Sequence, residues 1–201
     1  MKITTQQLFD YDLHLNSSLI CGVDEAGRGP LAGPVVCASV IMPLDKLIFG
    51  VNDSKKLSQK LRESLFSQII EVAIDYQIAI IDNQTIDRVN ILNATKLGME
   101  QAILGLKVSP DIILVDAVKG LQINRDYTAL TKGDATSYSI ACASILAKVA
   151  RDKIMTEMCL TYPQYSFSKH KGYGTTMHIE AIRTYGATPI HRQSFIKNFL
   201  V

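Results

Sequence analysis

Two adjacent carboxylates follow an apolar run near the amino terminus of the chain. Asp24 and Glu25 come directly after a predicted buried strand from about Leu19 to Val23. Like charges about 4 Å apart repel by roughly 4 kcal/mol at an effective dielectric constant near 20. Such a pair therefore needs a cation, a proton or an arginine beside it, and Arg28 and a divalent metal ion are the two candidates.

A glycine-rich turn, residues 27–34, follows the acidic pair. Gly27, Arg28 and Gly29 expose backbone N–H groups with little side chain around them, which suits the close approach of a phosphate or a sugar. The turn does not have the dinucleotide-binding spacing G-x-G-x-x-G, and Pro30 and Pro34 prevent it from opening directly into a helix. The pattern favours backbone contacts to a ligand but excludes a dinucleotide-binding turn.

Two more acidic residues occupy comparable positions later in the chain. Asp116 ends a short apolar strand predicted over residues 111–116, and Asp134 stands just before a long predicted helix. If the strands of Asp24 and Asp116 are parallel neighbours, their carboxyl ends meet at the edge where α/β sheets bind ligands. Each acid alone would be read as a turn or cap residue. Together the four predict a site for Mg²⁺ or Mn²⁺, hard cations that prefer oxygen ligands.

The rest of the chain alternates between strands and helices, as expected for an α/β protein. The long helix is predicted from about Ser137 to Leu160 and carries Asp152 about 27 Å beyond Asp134 by helical rise, so Asp152 is assigned a structural role. Small residues on this helix predict close packing against the sheet. The other predicted elements are strands over 34–42 and 73–81, helices over 58–72 and 84–106, and a short terminal helix.

Length, composition and charge indicate a globular domain with an uneven charge distribution. The 201 residues are 47% hydrophobic with a mean hydropathy of +0.13, enough for one domain with a substantial core. Residues 1–140 carry 13 Lys/Arg and 16 Asp/Glu (net −3), whereas residues 141–201 carry 8 and 3 (net +5). This asymmetry suits a polyanion lying across the C-terminal third, although a solvated basic face would look the same.

Cysteine usage and hydropathy predict a soluble, unexported, cytoplasmic protein without a membrane partner. The four cysteines are widely spaced in apolar surroundings, which indicates buried free thiols in a reducing compartment. The amino terminus is polar, and the apolar stretch from Val35 to Met42 has only eight residues. The cysteines are Cys21, Cys37, Cys142 and Cys159.

Aromatic residues and cations alternate beyond Pro163. Tyr165, Phe167 and Tyr173 are interleaved with Lys169, His170 and Lys171 and flanked by glycines, a composition that fits stacking on nucleic acid. Packing of these aromatic residues within a loop is the alternative.

The sequence resembles bacterial ribonuclease HII, the type 2 ribonuclease H family, over nearly its whole length. The resemblance begins with the run from Val23 to Val36. It continues through Asp53-Ser54-Lys55-Lys56-Leu57, Gly133-Asp134-Ala135, Ala143 to Asp152, Tyr162-Pro163-x-Tyr165, Lys171-Gly172-Tyr173-Gly174-Thr175 and His191-Arg192-x-Ser194-Phe195.

This resemblance implies a metal-dependent endonuclease that cuts RNA paired with DNA. It would also cut at single ribonucleotides embedded in duplex DNA, leave 5′-phosphate and 3′-hydroxyl ends, and serve ribonucleotide removal from DNA. Asp24, Glu25, Asp116 and Asp134 would hold two Mn²⁺ or Mg²⁺ ions. The implied substrate contacts come from Gly27, Arg28 and Gly29 at the ribose 2′-hydroxyl, from Tyr173 at the RNA–DNA junction, and from Lys55, Ser144 and Lys148 at phosphates.

The resemblance further implies a ribonuclease H-like fold. We expect a mixed five-stranded sheet, three strands antiparallel and two parallel, flanked by helices and followed by a helical C-terminal extension. Residues 1–201 would form one domain, with a catalytic core over about 18–160 and the extension over about 161–201, acting as a monomer. Ala117 stands where the family usually has glycine, so a modest change of the backbone is expected there.

Two other functions remain open at this point. One is a type 3 ribonuclease H acting on long hybrids, which normally carries an extra N-terminal domain, whereas only about eighteen residues precede the first predicted strand. The other is a non-catalytic module that binds hybrids, which the four intact acids disfavour. A weak sliding-clamp contact is a further candidate, although core packing is favoured for the residues with the clamp-peptide spacing, Gln193, Ile196, Phe199 and Leu200.

Overall fold

A mixed five-stranded sheet forms the centre of the computed structural model, which describes residues 3–199. The strand order is β3-β2-β1-β4-β5. Strand β2 is antiparallel to both of its neighbours, β1 and β3, whereas β4 runs parallel to β1 and β5 runs parallel to β4. The strands are β1 (Ile20–Ala26), β2 (Val35–Ile41), β3 (Asp75–Ile81), β4 (Ile112–Asp116) and β5 (Thr128–Leu130). The predicted mixed sheet is confirmed.

Helices cover both faces of this sheet. They are α1 (Thr5–Leu13), α2 (Gln59–Val72), α3 (Asn83–Val89), α4 (Ile91–Leu104), α5 (Tyr138–Thr161), α6 (Phe167–His170), α7 (Thr176–Tyr185) and α8 (Gln193–Ile196). Ala38 and Val40 of β2 pack with α1, α2 and α5 on one face, whereas Cys37 and Ile41 pack with α3 and α4 on the other. Burial on both faces explains why β2 is apolar along almost its whole length.

Helix α5 lies directly against β1. A Cβ atom placed on Gly22 would lie 2.0 Å from the carbonyl carbon of Ser139, so only glycine allows this approach. Ala141, Ala143 and Ala147 are fully buried and pack in the core that includes Ala38 and Val40 of β2. The predicted close packing of small residues is confirmed, and it fixes α5 relative to the edge where β1 ends.

Local hydrogen bonds explain most of the helix boundaries. Ser58 and Ser137 accept from the backbone N–H groups of Leu61 and Ile140 and so cap α2 and α5, close to where the sequence predicted that these helices begin. The single helix predicted over 84–106 is wrong. Asn90 has a φ of +67°, which interrupts the helix, and its side chain caps α4 by accepting from the N–H of Asn93.

Strand β1 is longer than the sequence predicted, and two elements were not predicted. Pairing with β2 continues to Ala26 opposite Val36, so the strand does not end at Val23. Helix α1 has little apolar patterning, yet its buried Asp12 accepts from the N–H and hydroxyl of Ser139 at the start of α5. Strand β5 has only three residues, too few for a periodic signal.

The C-terminal helices form a small core of their own against the glycine-rich turn. Leu31 and Ala32 of the turn pack there with Met155, Tyr165 and Phe167. The helical nature of the extension is confirmed.

The four cysteines are free thiols, and three of them are buried. Cys21, Cys37 and Cys142 are buried free thiols, but Cys159 is half-exposed, so the prediction of burial is wrong for that residue, which lies near the end of α5. No helix within residues 3–199 combines the length and apolar character needed to cross a bilayer.

Candidate functional site

Four acidic side chains meet at one edge of the sheet. Asp24 and Glu25 lie near the carboxyl end of β1. Asp116 is the last residue of the parallel neighbour β4, in which Val115 pairs with Val23 of β1. Asp134 lies in a 3₁₀ turn (Gly133–Ala135), and the N–H of the preceding Gly133 donates to Asp116 Oδ1 over 2.6 Å. Parallel pairing of β1 with β4, as expected from the sequence, therefore brings the acids to a common edge.

Burial and neighbouring carboxylates raise the pKa values of Asp24, Glu25 and Asp134. Burial raises the pKa of Asp24 well above its usual value, and the charges of Glu25, Asp116 and Asp134 raise it further. Burial also raises the pKa of Glu25, against the lowering effect of Arg28. Burial and the charges of Asp53 and Asp116 raise the pKa of Asp134. Concentrated negative charge of this kind favours a bound cation.

The polar contacts of the cluster leave part of this charge without compensation. Arg28 Nη1 lies 3.5 Å from Glu25 Oε1, as the sequence suggested, but Glu25 Oε2 is buried without a hydrogen-bond partner. Asp24 Oδ1 accepts from the N–H of Glu25 over 2.6 Å. Within residues 3–199, no three His, Cys, Asp or Glu side chains are spaced to hold a metal ion as they stand. Oxygen donors and an unpaired buried oxygen are nevertheless the chemistry that a hard cation prefers.

A cleft of about 550 Å³ opens beside Asp24 and Glu25. All seven predicted substrate contacts line this cleft, whereas Asp116 and Asp134 do not. Those seven lining residues are Gly27, Arg28, Gly29, Lys55, Ser144, Lys148 and Tyr173.

The glycine-rich turn forms one wall of the cleft. Gly27 has a φ of +100°, and a Cβ atom there would lie 2.0 Å from Arg151 Nε, so the position requires glycine. Across from it stands Tyr173, whose ring carbon Cε1 lies 3.9 Å from where a Cβ of Gly29 would be. Tyr173 is 42% exposed, so its ring is accessible to a ligand in the cleft.

The three predicted phosphate contacts differ in their surroundings. Burial alone would lower the pKa of Lys55, but the carboxylates of Asp24 and Asp134 raise it above its usual value, which places the ammonium group near the acids. Lys148 Nζ donates to Asp152 over 2.8 Å. Ser144 is almost fully buried, and its hydroxyl donates to Ser54 over 2.7 Å. Lys55 is thus the best placed of the three.

Most of the aromatic residues beyond Pro163 do not face the cleft. Tyr165 and Phe167 are buried, and their rings stack with centroids 5.4 Å apart. His170 is buried as well and lies edge-on to Phe167. The expected stacking surface is therefore wrong for these residues, since they form the core of the extension. Tyr173 alone of the aromatic residues named there is exposed.

Two arginines behind the glycine-rich turn were not predicted from the sequence to have a role. Arg151 and Arg192 are both 0% exposed. Their guanidinium groups donate only to backbone carbonyls, which lie in the turn and in the segment before Tyr173. Both arginines stand inside motifs that carry the family resemblance, which was the one available signal.

Comparison with known proteins gives a consistent result. The family model described as Ribonuclease HII matches residues 21–198. The chain is 58% identical to the Ribonuclease HII of Caldicellulosiruptor saccharolyticus, over 90% of this chain and 88% of that protein. It is 57% identical to the Ribonuclease HII of Acetivibrio thermocellus, over 91% of this chain and 72% of that protein.

Solved structures show the same architecture. Ribonuclease H2 from Pyrococcus horikoshii matches with a TM-score of 0.77 and 27% identity, covering 90% of this chain and 96% of that one. The RNase HII of the Archaeoglobus fulgidus PCNA:RNase HII complex matches with a TM-score of 0.76 and 25% identity, with the same coverage. Bst-RNase HIII in complex with Mn²⁺ matches at 20% identity and a TM-score of 0.67, over 86% of this chain and 65% of that one, which shows the fold alone.

Proposed function

Since this chain belongs to the ribonuclease HII family, a family of endonucleases that hydrolyse RNA in RNA–DNA hybrids, we propose that it cuts hybrids and also single ribonucleotides embedded in duplex DNA. The observation that carries this proposal is the meeting of Asp24, Glu25, Asp116 and Asp134 at one sheet edge, next to a cleft bounded by the glycine-rich turn and Tyr173. Removal of ribonucleotides from DNA in the cytoplasm, by a monomer, is the biological role we propose.

Two Mn²⁺ or Mg²⁺ ions are proposed as cofactors of the four carboxylates. The all-oxygen donor set, the unpartnered Glu25 Oε2 and the raised pKa values of Asp24 and Glu25 support this proposal. When bound, the ions would supply an activated water and stabilise charge on the leaving 3′-oxygen. Without such ions, the four carboxylates would repel the phosphate groups of a substrate.

The remaining lining residues would recognise the substrate. The N–H groups of the glycine-rich turn can donate to a ribose 2′-hydroxyl, the group that distinguishes RNA from DNA. The exposed ring of Tyr173 can pack on the sugar that follows the ribonucleotide. Lys55 would contact a phosphate, with Ser144 and Lys148 as weaker candidates because both side chains already have protein partners.

The test of this proposal is cleavage of a DNA duplex that contains one ribonucleotide, with and without Mn²⁺ or Mg²⁺. We expect metal-dependent cleavage on the 5′ side of the ribonucleotide, and also cleavage of an all-RNA strand paired with DNA. An all-DNA duplex should stay intact. Cleavage in the presence of a chelator would contradict the metal assignment.

Asp116→Asn should abolish cleavage and leave duplex affinity nearly unchanged. The amide keeps the size of the side chain and can still accept from the N–H of Gly133, but it removes a charge that the ions require. Asp111→Asn is the matched control, because Asp111 is exposed at the opposite end of the same strand region and hydrogen-bonds Ser17. Normal turnover by Asp116→Asn, measured beside that control, would refute the assignment.

A sliding-clamp contact is a weaker proposal. The Archaeoglobus relative forms a complex with PCNA, and Gln193 is exposed here. However, Ile196 is fully buried and Phe199 packs against the core of the C-terminal extension, while Leu200 lies outside the described residues. These contacts favour the core-packing interpretation of this segment.

A further inference from the structure

Two buried cations behind the glycine-rich turn have no role in the chemistry proposed above. Arg151, on α5, and Arg192, just before α8, are fully buried, and neither forms an ion pair with a carboxylate within residues 3–199. Burying a charge is costly unless hydrogen bonds compensate for it. Burial, together with the charge of Arg151, lowers the pKa of Arg192 to about 9. The compensation comes from hydrogen bonds that the two guanidinium groups donate to backbone carbonyls.

Arg192 determines the direction of two peptide groups in the turn. Its Nη2 donates to Gly27 O over 2.6 Å, and its Nη1 donates to Arg28 O over 2.9 Å. In a planar trans peptide, the carbonyl of one residue and the N–H of the next point in opposite directions. The N–H groups of Arg28 and Gly29 therefore point away from Arg192, and across the described residues they donate to no protein acceptor.

The same guanidinium group also holds the far end of the turn. Arg192 Nε donates to Gly33 O over 3.0 Å, and Nη2 donates to Pro34 O over 3.1 Å. Carbonyls from both ends of the turn are thus joined by one planar group with several fixed donors. A lysine ammonium, with a single nitrogen, cannot reproduce this fork.

Arg151 connects the turn to the segment that carries Tyr173. Its Nη2 donates to Ala32 O over 3.1 Å, and its Nη1 donates to Lys171 O over 3.0 Å. Its Cζ lies 5.9 Å from the centre of the Tyr173 ring. Arg151 therefore fixes the distance between the N–H groups of the turn and the aromatic ring on the opposite wall of the cleft.

We propose that Arg192 is a positioning residue that determines specificity for ribose: it directs the N–H groups of Arg28 and Gly29 at a 2′-hydroxyl, while Arg151 holds Tyr173 at the matching distance. A hydroxyl oxygen can accept from these N–H groups, and deoxyribose lacks that oxygen. Preference for the ribonucleotide depends on the direction of the donors and not only on their presence. This inference rests on the proposed function of the cleft.

The test compares two binding constants in the absence of metal ions. Duplex affinity is measured by fluorescence anisotropy in EDTA, once for DNA with a single ribonucleotide and once for the all-DNA duplex. Arg192→Lys should lower the ratio of the two affinities about tenfold, equivalent to about 1.4 kcal/mol, with little change in affinity for the all-DNA duplex. A purely structural role of Arg192 would weaken both affinities together and leave their ratio unchanged.

Arg62→Lys is the matched control. Arg62 has a side chain that is only 13% exposed and also donates to backbone carbonyls, those of Ser54 and Leu57, on the other side of the cleft. Its replacement removes comparable hydrogen bonds without altering the glycine-rich turn, so the affinity ratio should stay at the wild-type value. An equal fall of the ratio in both variants would overturn the proposal, as would an unchanged ratio in folded Arg192→Lys.

A milder variant keeps the proposal testable if Arg192→Lys does not fold. Asn83 Nδ2 donates to Pro189 O over 2.9 Å and to His191 O over 3.0 Å, and so anchors the segment that carries Arg192. Asn83→Ala should lower the ratio about threefold, for a loss of roughly 0.7 kcal/mol. An unchanged ratio in this variant would overturn the proposal.

Failure of the inference can be distinguished from failure of the proposed function. If the wild-type protein prefers the ribonucleotide duplex and cuts it with metal, but the Arg192 and Asn83 variants keep the full preference, only the positioning role is wrong. If the wild-type protein shows neither preference nor cleavage, the proposed function is wrong, and the positioning role is wrong with it.

Discussion

Asp24 is buried where its charge is least favourable. Only 5% of the residue is exposed, and three other carboxylates lie near it. We predict that Asp24→Asn raises the free energy of unfolding of the metal-free protein by roughly 1 kcal/mol or more, because the amide removes the repulsion and can still accept from the N–H of Glu25. Urea unfolding in EDTA measures this change.

A cation should reverse that order of stability. Binding of Mn²⁺ to the folded state raises the midpoint of wild-type unfolding by mass action, whereas Asp24→Asn, lacking one proposed ligand, should gain little. Asp111 is exposed and lies away from the cluster. The variant Asp111→Asn should therefore respond to Mn²⁺ as the wild type does. A less stable Asp24→Asn protein in EDTA would argue against repulsion at this edge.

Single residues were predictable where their type and position already implied a ligand. The acids at strand ends and the glycines of the turn belong to this class, since charge and backbone freedom can be read from the sequence. Arg192 does not. An arginine is usually exposed, and the carbonyls that Arg192 binds lie 158 to 165 residues away along the chain. No local pattern carries that information.

At the scale of elements, the junction after β4 carries strain. Ala117 has a φ of +51°, in the left-handed region that disfavours residues with a Cβ atom. The modest backbone effect expected from alanine at this position thus takes the form of an unfavourable conformation in which the N–H of Ala117 still donates to Leu130 O. The strand end that carries Asp116 is retained.

Ala117→Gly should therefore stabilise the protein by up to about 1 kcal/mol. Glycine relieves the strain at positive φ, although it also increases the entropy of the unfolded chain. The measurement is the free energy of urea unfolding, beside Ala129→Gly in β5, which has no positive φ and should be destabilised. Greater loss of stability in Ala117→Gly than in this control would show that the turn is not strained.

Elements were predictable in proportion to the strength of their periodic pattern. Strand β2 and helices α2 and α5 have strong apolar patterns, and each of the two helices is preceded by a capping serine. Their bounds agree with the predicted ones within one or two residues. The break at Asn90 was missed because an apolar pattern continues across it. Strand β1 extends beyond Val23 because pairing with β2 holds charged residues in the ladder, which is a tertiary effect.

At the scale of the whole molecule, a cluster of neutral histidines lies buried inside the C-terminal extension. His178 Nε2 lies 3.0 Å from His191 Nε2, and the His170 ring stacks on His178 with centroids 4.5 Å apart. Burial lowers the pKa of both His178 and His191 to about 4. Protonation of these rings in the folded state is unfavourable, because each positive charge would be buried and would lie beside another histidine.

The stability of the protein should fall as the pH drops from about 6.5 towards 4. The unfolded chain takes up protons near pH 6.5, while the folded histidines stay neutral until about pH 4, so the full stability contribution is present above pH 6.5. Two such groups predict a loss of about 2 to 4 kcal/mol by pH 5. Urea midpoints at pH 7.5, 6.5, 5.5 and 5.0 measure the slope.

His178→Gln should flatten this pH dependence, since glutamine cannot take up a proton and can still hydrogen-bond Tyr173 O, the present partner of His178 Nδ1. The comparison above pH 5 keeps most carboxylates ionised in the unfolded chain. The same slope in wild type and variant would place the acid sensitivity elsewhere in the molecule.

The charge distribution shows what composition alone leaves undetermined. Residues 141–201 carry eight Lys/Arg, but two of them, Arg151 and Arg192, are buried and compensated by carbonyls. A third, Lys148, is paired with Asp152. The surface of residues 141–201 is thus less basic than the sequence count suggested. Counting charges predicts the sign of a region, but burial determines how much of that charge reaches the solvent.

The contact between Arg192 and Gly27 spans 165 residues of sequence, so it also orders events during translation. The ribosome makes strand β1 and the glycine-rich turn long before it makes the arginine that aims the turn. The last strand of the sheet ends at Leu130, so all five strands are made while the turn still has no Arg192 guanidinium group behind it. The positioning role that we propose for Arg192 would therefore begin only at the end of synthesis.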